Sequence, residues 1–554
     1  MRLPPSVLAG VLLLLFVLYA LSASRIKAPT YDEPVHIGAG LSYLRTREFK
    51  VNLQHPPLLK ELAALPLLVA GVRWPVSAEG WAALGPVAPV DFQWQLGNAV
   101  LFANDPARVL FWSRLPLLLL TGLLGWVLWA WGRAMLGPAA GLGALLLFAF
   151  DPGLLAHGTL VTTDTGCAAL STLCLFALWR YLRVRTPGRL LLCGVALGAA
   201  LAAKFSALLL LPIVAVLLLF AAWQATATPT AGAEPDVGGN PTQPDVARDH
   251  VRRLLGAGAA LLAMTAVAVL VVAAVYLGRN PWLYVEGLRL VNADHNPDYW
   301  PFMAGQFRPR FWSYYAVVYL LKEPIPSIVV AAVGLWAIVR RGAARPIDRA
   351  FLILPPLAFV GAYTALSHDL GLRYLIPALP FLHLVGGAGL AALLQRGLRG
   401  RVLGGVLVVW LGLGSLGIYP DHLSYFNEAA CALAAPAQIG LDGGSRCGPA
   451  WLDDSNVDWG QGLGQLAVWL AQHPSPAPVW LAYFGSVPPE RYGVRAQPLD
   501  ARELQRPPPP GRYVLSAHVF ARLRGALAAR GEGWLLSQSP SAVVGHAYYV
   551  FDVP

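Results

Sequence analysis

Apolar stretches long enough to cross a bilayer recur along the first three quarters of the chain, separated by polar connections. They fall at 5–22, 111–132, 138–157, 165–182, 190–203, 205–222, 254–277, 324–340, 350–367, 372–394 and 402–419. At 1.5 Å of rise per residue, roughly 20 such residues span the ~30 Å of hydrocarbon. The fifth and sixth form one apolar run broken at Lys204. The pattern predicts a polytopic all-α membrane domain of about 11 helices over 1–419. Between the first two spans lies a long loop, 25–109. Within it, 57–72 sets Leu58, Leu59, Leu62, Leu65 and Leu68 at helical spacing, with Lys60 and Glu61 on another face. Such a helix lies along the interface instead of crossing it, and 91–104 is expected to do the same. Residues 224–250, rich in Thr, Ala, Gly and Pro and without period, predict a flexible linker. From about 420 the period changes. Segments 479–484, 512–518 and 546–552 read as strands, and 461–472 and 518–529 as helices. A small α/β domain over 420–554 follows, and no internal repeat is visible.

Composition sharpens this picture. The 554 residues are 56% hydrophobic and 13% charged, which sets the chain apart from soluble domains. The net charge of +11 is distributed by connection. Arg133, then Arg180, Arg183, Arg185 and Arg189, then Arg248, Arg252 and Arg253 fall in alternate connections, as do Arg340, Arg341, Arg345, Arg349, Arg396, Arg399 and Arg401. Connections 158–164 and 368–371 carry no Lys or Arg. This is the positive-inside pattern, so the basic balance reports topology and argues against nucleic acid as the partner. It places the N-terminus in the cytoplasm, with 25–109, Asp164, the 278–322 loop and the tail outside a plasma (inner) membrane. The first segment is read as an uncleaved anchor, since removing it would leave a polar run at a bare N-terminus. Cys167, Cys174 and Cys193 fall in apolar segments and read as packing. Cys431 and Cys447 lie in the outward tail, a compartment that permits a disulfide.

The chemistry-bearing residues gather on the outer side. Tyr31-Asp32-Glu33-Pro34 follows the first span, and His55-Pro56-Pro57-Leu58-Leu59-Lys60 comes shortly after. Charge is expensive at the edge of hydrocarbon, so paired carboxylates there point to a site. Thr30 and Glu33 also fit a capping box, which accounts for Glu33 and leaves Asp32 as a general base for an incoming hydroxyl. Asp164, in Thr162-Thr163-Asp164, is either a helix cap or a further site carboxylate. Lys204 interrupts an apolar run, and Arg373 begins a helix from the side where the charge rule places no Arg. With Lys60 and Lys322 they form an outward cationic set suited to phosphate. His55, held by two prolines, and Tyr31 are candidates for substrate positioning, as is Lys322. Aromatic residues at 282–315 fit an interfacial belt, a sugar platform or a lipid guide. Asp454-Ser455-Asn456-Val457-Asp458-Trp459-Gly460 superficially matches a calcium loop. Its Gly is one place late and Gln465 stands where a Glu is needed, so turns built on Asx side chains are expected.

The external Asp-Glu, the His-Pro-Pro-Leu-x-Lys helix, the Thr-Thr-Asp and the Arg-Tyr-Leu-x-Pro helix start occur together here. This set resembles the GT-C glycosyltransferases that use lipid-linked donors, in the branch of protein O-mannosyltransferases and bacterial aminoarabinose transferases (family 39-like). The resemblance covers roughly 1–420, and Ser455 to Gln461 is similar to the tail of bacterial members. It implies a GT-C fold, a polyprenyl-phosphate sugar donor, and inverting transfer to a protein, lipid or glycan hydroxyl or phosphate on the extracytoplasmic face. On that basis Asp32, Glu33 and Asp164 are the catalytic set, and Lys60, Lys204 and Arg373 hold the donor phosphate. His55, Tyr31 and Lys322 position acceptor or substrate. Some relatives bind a divalent metal at this outer site. Asp32, Glu33, Asp164 and His55 offer donors for one, though no spacing demands it. The competing readings are a hydrolase, a transporter or flippase of lipid-linked anions, and a membrane scaffold for the outer domain. Transporters commonly show matched halves, and here one half alone carries the carboxylate loop.

Overall fold

Small residues set how closely the membrane helices approach one another. In helix Leu379–Leu394 a Cβ on Gly387 would stand 2.2 Å from the Ala140 carbonyl, and one on Gly389 would stand 2.0 Å from that of Val330. From the facing helix, a Cβ on Gly334 would sit 1.8 Å from the Val385 carbonyl. Helix Leu379–Leu394 is therefore clamped between Pro138–Ala149 and Ile325–Arg340 at backbone-contact distance. The computed structural model describes residues 4–227, 243–293, 299–340, 342–432 and 435–554. Among these, seven helices are long and apolar enough to cross a membrane: Pro5–Ile26, Pro106–Leu136, Asp164–Arg183, Phe205–Gln224, Arg248–Val275, Pro346–Leu366 and Gly397–Gly417. Helices Tyr314–Lys322 and Ile325–Arg340, bent by 112° at Glu323-Pro324, make an eighth span if taken together. Pro138–Ala149, Pro187–Ala203 and Leu379–Leu394 are shorter apolar helices. Every apolar segment expected from the sequence is thus helical, but these three are too short to cross unaided. The chain is a multi-pass membrane protein.

Two arginine-bearing connections meet at one end of the bundle. Arg183 pairs with Asp348 at 3.0 Å, and the Trp179 indole donates to the same carboxylate at 2.7 Å. The run broken at Lys204 is divided as expected, into Pro187–Ala203, the 3-10 turn Phe205–Leu209 and Leu210–Ala227. The expected linker 224–250 is narrower: a helix continues to Ala227 and another starts at Gln243, while 228–242 lie outside the described residues.

The long loop holds Glu33–Thr46, Leu58–Val69, Ala78–Ala82 and Phe92–Phe102. The second of these is the expected amphipathic helix, and the face that it buries includes Lys60. Leu59, Lys60, Ala63, Ala64 and Leu67 are buried, whereas Leu65 and Val69 are exposed. Lys60, Ala63, Ala64 and Leu67 are spaced i, i+3, i+4, i+7 and pack inward, with Leu65 and Val69 on the opposite side. Close approach is again the reason: a Cβ on Gly40 would lie 2.0 Å from the Lys60 carbonyl.

Beyond 420 the chain builds a five-stranded mixed sheet. After a hairpin of β1 (Phe302–Met303) and β2 (Gln306–Phe307) come β3 (Val479–Ala482), β4 (Gln497–Pro498), β5 (Gly511–Ser516), β6 (Ala542–Val544) and β7 (Tyr548–Val553). Their order is β4-β3-β5-β7-β6, parallel across β4-β3-β5 and antiparallel across β5-β7-β6. Helices Leu463–Gln472 and Ala517–Arg530 match the expected ones within two residues. Cys431 and Cys447 form a disulfide.

A polar cluster docks this sheet onto the bundle. His546 bonds Asp421 at 2.8 Å and Asp442 at 3.1 Å, and Lys27 also pairs with Asp421. Burial alone would lower the His546 pKa, but its hydrogen bonds to the two carboxylates raise it to about 9.

Two outcomes follow. Gly387→Val should cost about 1–3 kcal/mol by overpacking, whereas Gly412→Val, with nothing within 4 Å, should be near neutral; melting in detergent distinguishes them. A histidine whose folded pKa lies above its ordinary 6.5 stabilises fully below that pH, and the effect is lost as pH rises through about 9. The melting temperature should therefore fall across that window in wild type. His546→Gln should lose that slope.

Candidate active site

Asp32 closes the first turn of helix Glu33–Thr46 as its N-cap, and its carboxylate meets Arg373 at 3.2 Å. Arg373 sits on the 3-10 turn Leu372–Tyr374 and lies over the Trp459 ring at 4.7 Å. Burial works against the Arg373 charge, but Tyr374, Asp32, Asp454 and Asp164 raise its pKa above the usual value. Asp164 is the first residue of helix Asp164–Arg183, and its carboxylate turns to Lys204 at 2.5 Å instead of capping. Lys204 occupies the break between two helices with its backbone extended, and its ammonium lies over the Tyr374 ring at 4.7 Å. Two carboxylate–cation pairs thus share one end of the bundle, joined through Tyr374. The sequence candidates Asp32, Asp164, Lys204 and Arg373 come together as expected.

His55 is half-buried beside this group. Its ring packs edge-on against His36 at 5.3 Å. Burial lowers its pKa well below the ordinary value, and His36, Lys60, Lys204 and Arg373 push the same way. His55 is accordingly a neutral imidazole at physiological pH. Tyr31 stacks on Phe484 at 5.4 Å and donates its backbone N–H to Trp459 O at 2.8 Å.

Three expected site residues have other tasks. Glu33 is fully buried: Oε1 accepts from Arg114 Nε at 2.8 Å and from the Val161 N–H at 3.0 Å. Oε2 accepts from Arg114 Nη2 at 2.6 Å and from the Thr30 N–H at 2.9 Å. Burial would raise its pKa, but the Arg114 charge and these hydrogen bonds hold it below the carboxylate range. Glu33 is a positioning residue, because its lone pairs are already occupied. Lys60 is buried and donates to Asn52 O and His55 O, both at 2.7 Å, and to Tyr43 Oη at 2.9 Å. An ammonium has three protons, and all three are engaged within the protein here. Lys322 is likewise buried, donating to Asn456 O at 2.6 Å and Leu423 O at 2.8 Å, with its head over Phe426. The cationic set of four therefore divides into Lys204 and Arg373 at the site and two lysines that pin backbone.

Sequence reasoning missed His36, Arg114, Tyr374 and Trp459. His36 lies one helical turn after Asp32, and its Nδ1 meets Val161 O at 2.8 Å. Helical spacing from Asp32 was the available signal. Trp459 belongs to the motif at 454–460, which is wedged into the site. Asn456 Oδ1 accepts from the Leu372 N–H at 3.0 Å, and the Ala28 N–H donates to Gln461 O at 3.0 Å. Gly371, at φ +94, is required here, because a Cβ would meet the Asn456 side chain at 2.8 Å. The expected Asx turn is present, with the Gly460 N–H donating to Asp458 Oδ1 at 3.0 Å.

Residues 101–233, which carry Arg114, Asp164 and Lys204, match the family model of dolichyl-phosphate-mannose-protein mannosyltransferase. No curated protein sequence matches the chain. Its structure is similar to that of ArnT from Cupriavidus metallidurans bound to undecaprenyl phosphate, with TM-score 0.46 and 13% identity over 98% of this chain and 97% of that one. The apo form of the same ArnT gives TM-score 0.44 and 14% identity over 97% of each chain. An Archaeoglobus fulgidus oligosaccharyltransferase in complex with Zn and sulfate gives 0.37 and 11%, over 91% of this chain and 68% of that one.

Replacing Lys60 by Met should act on folding and not on donor affinity. It strands three buried acceptors, at about 1–3 kcal/mol. Lys204→Gln should leave the melting temperature closer to wild type while raising KM for a lipid-linked donor. The two variants are separated by melting in detergent beside a donor titration.

Proposed function

We propose that the protein is a glycosyltransferase that moves a sugar from a polyprenyl-phosphate donor to an acceptor hydroxyl on the extracytoplasmic face, with inversion at the anomeric carbon. The observation that carries this reading is the inequality of the three carboxylates. Side-chain exposure is 32% for Asp32, 4% for Asp164 and 0% for Glu33. Only Asp32 is open to an incoming molecule, and a carboxylate there is a general base for a hydroxyl. A phosphate acceptor would need no base, so the hydroxyl is favoured. Double displacement needs a second free carboxylate as nucleophile. Glu33 is saturated and Asp164 is held by Lys204, so a single displacement fits the site.

In that step the acceptor oxygen bonds to the anomeric carbon as the carbon–oxygen bond to phosphate breaks, and the acceptor proton passes to Asp32. The departing polyprenyl phosphate takes the electron pair, and its charge is met by Arg373 and Lys204. On donor binding Arg373 would exchange Asp32 for phosphate, which frees the base, while Lys204 keeps Asp164 and turns its remaining protons to the same phosphate. Asp164 then orients Lys204, and Glu33 fixes the helix that carries Asp32. The neutral His55 and Tyr31 line the approach to Asp32. The arginine-rich connections on the opposite end support an outward site with a cytoplasmic N-terminus.

The test is release of free polyprenyl phosphate from a panel of lipid-linked sugars by the purified protein, with cell-envelope extract as acceptor. Asp32→Asn should lower release by about 10²-fold or more while Kd for the donor changes little. Equal release from both proteins would remove Asp32 as base. No release from any donor, with folded wild type, would favour a transporter.

A further inference from the structure

Away from the outer site, three side chains converge where the bent span meets its neighbours. Asp151 lies in the turn between Pro138–Ala149 and Pro152–His157, Glu323 at the elbow of the bent pair, and His383 in helix Leu379–Leu394. One ligand atom from each lies within 4.8 Å of the others. All three residues are at most 2% exposed. His383 Nε2 stands 3.0 Å from Asp151 Oδ2, yet neither atom makes a hydrogen bond, and Glu323 Oε1 and His383 Nδ1 are unpartnered too. The contact misses hydrogen-bond geometry, so both atoms are left free to accept a shared ligand. Neighbouring Lys322 offers no compensation, because its ammonium is spent on Leu423 O and Asn456 O. Two buried carboxylates with open oxygens are costly unless something cationic sits between them.

We propose that Asp151, Glu323 and His383 bind a first-row divalent metal ion. Ligands about 2.0–2.2 Å from a metal and roughly 90–110° apart stand about 3–3.5 Å from one another, as His383 and Asp151 do. One imidazole with two carboxylates suits zinc, manganese or iron better than magnesium or calcium. The site has its own outer support: Asp151 Oδ1 accepts from the Leu154 N–H at 3.0 Å, which leaves Oδ2 free for the ion. The ion would tie the elbow to helix Leu379–Leu394 and to the turn that starts Pro152–His157. This role is structural and independent of the transfer reaction.

The full-length protein is stripped with chelator in detergent and reloaded with Co²⁺, whose visible absorption reports nitrogen and oxygen ligation. The expected result is about one Co²⁺ per chain, lost in His383→Ala and in Glu323→Gln and retained in Asp32→Asn, which separates this site from the outer one. Folded wild type without a Co²⁺ spectrum would overturn the proposal, as would binding that survives both His383→Ala and Glu323→Gln. If those variants do not fold, zinc-edge X-ray absorption of zinc-loaded Asp32→Asn decides. A shell of imidazole and oxygen supports the site, and a shell without imidazole refutes it.

Discussion

The buried ion pair between Glu33 and Arg114 is the constraint on which the rest of the site depends. It joins the first loop to span Pro106–Leu136 and, through the Val161 N–H, to the turn before Asp164. Arg114 also donates to the carbonyls of Ser24, Lys27 and Ala28, which lie at and just beyond the end of the first span. Three separate stretches of chain are thereby fixed around one carboxylate. Such a pair adds little net stability over apolar packing, but losing either partner leaves an uncompensated charge at a cost of about 3–5 kcal/mol. Its contribution is register: it fixes the backbone beside Asp32, the preceding residue.

Every buried cation on this face is matched, and the kind of match sorts its role. Lys60 and Lys322 are satisfied by carbonyls, which are neutral and fixed in the backbone, so nothing is gained by a phosphate displacing them. Lys204 and Arg373 are satisfied by carboxylates, and on the proposed reading an arriving phosphodiester, a monoanion, replaces the one on Arg373 charge for charge. A cation that is to receive a charged ligand in a low-dielectric place needs an anionic placeholder. A cation that is to hold structure needs dipoles.

Hydrophobic period and charge distribution carried much of the fold. Eleven apolar segments, the strands and the tail helices were legible because each is a local pattern. The burial of Lys60 in helix Leu58–Val69 was not, since its partners come from the loop before the helix. The four polar residues of the inner pairs were legible as rare charges in apolar surroundings. What separated Lys204 from Lys60 was the carbonyl cage at Asn52 and His55, formed by a loop conformation that no spacing encodes. Arg114 was hidden for a related reason: one Arg near the start of a span looks like an interfacial anchor until its partner is known.

Composition divides the chain near 420, and the site does not respect that division. Trp459 supplies the ring beneath Arg373, Asn456 holds the turn that carries it, and the backbone at 459 and 461 runs beside Tyr31 and Ala28. Lys322 reaches from the elbow of the bent span to the Asn456 carbonyl. Two sides of the same pair, Asp32 and Arg373, are thus referenced to one short segment of the tail. A tail that only covered the site would leave that spacing to the helices alone. Because it is threaded between them, displacement of 454–461 would change the distance between Asp32 and Arg373.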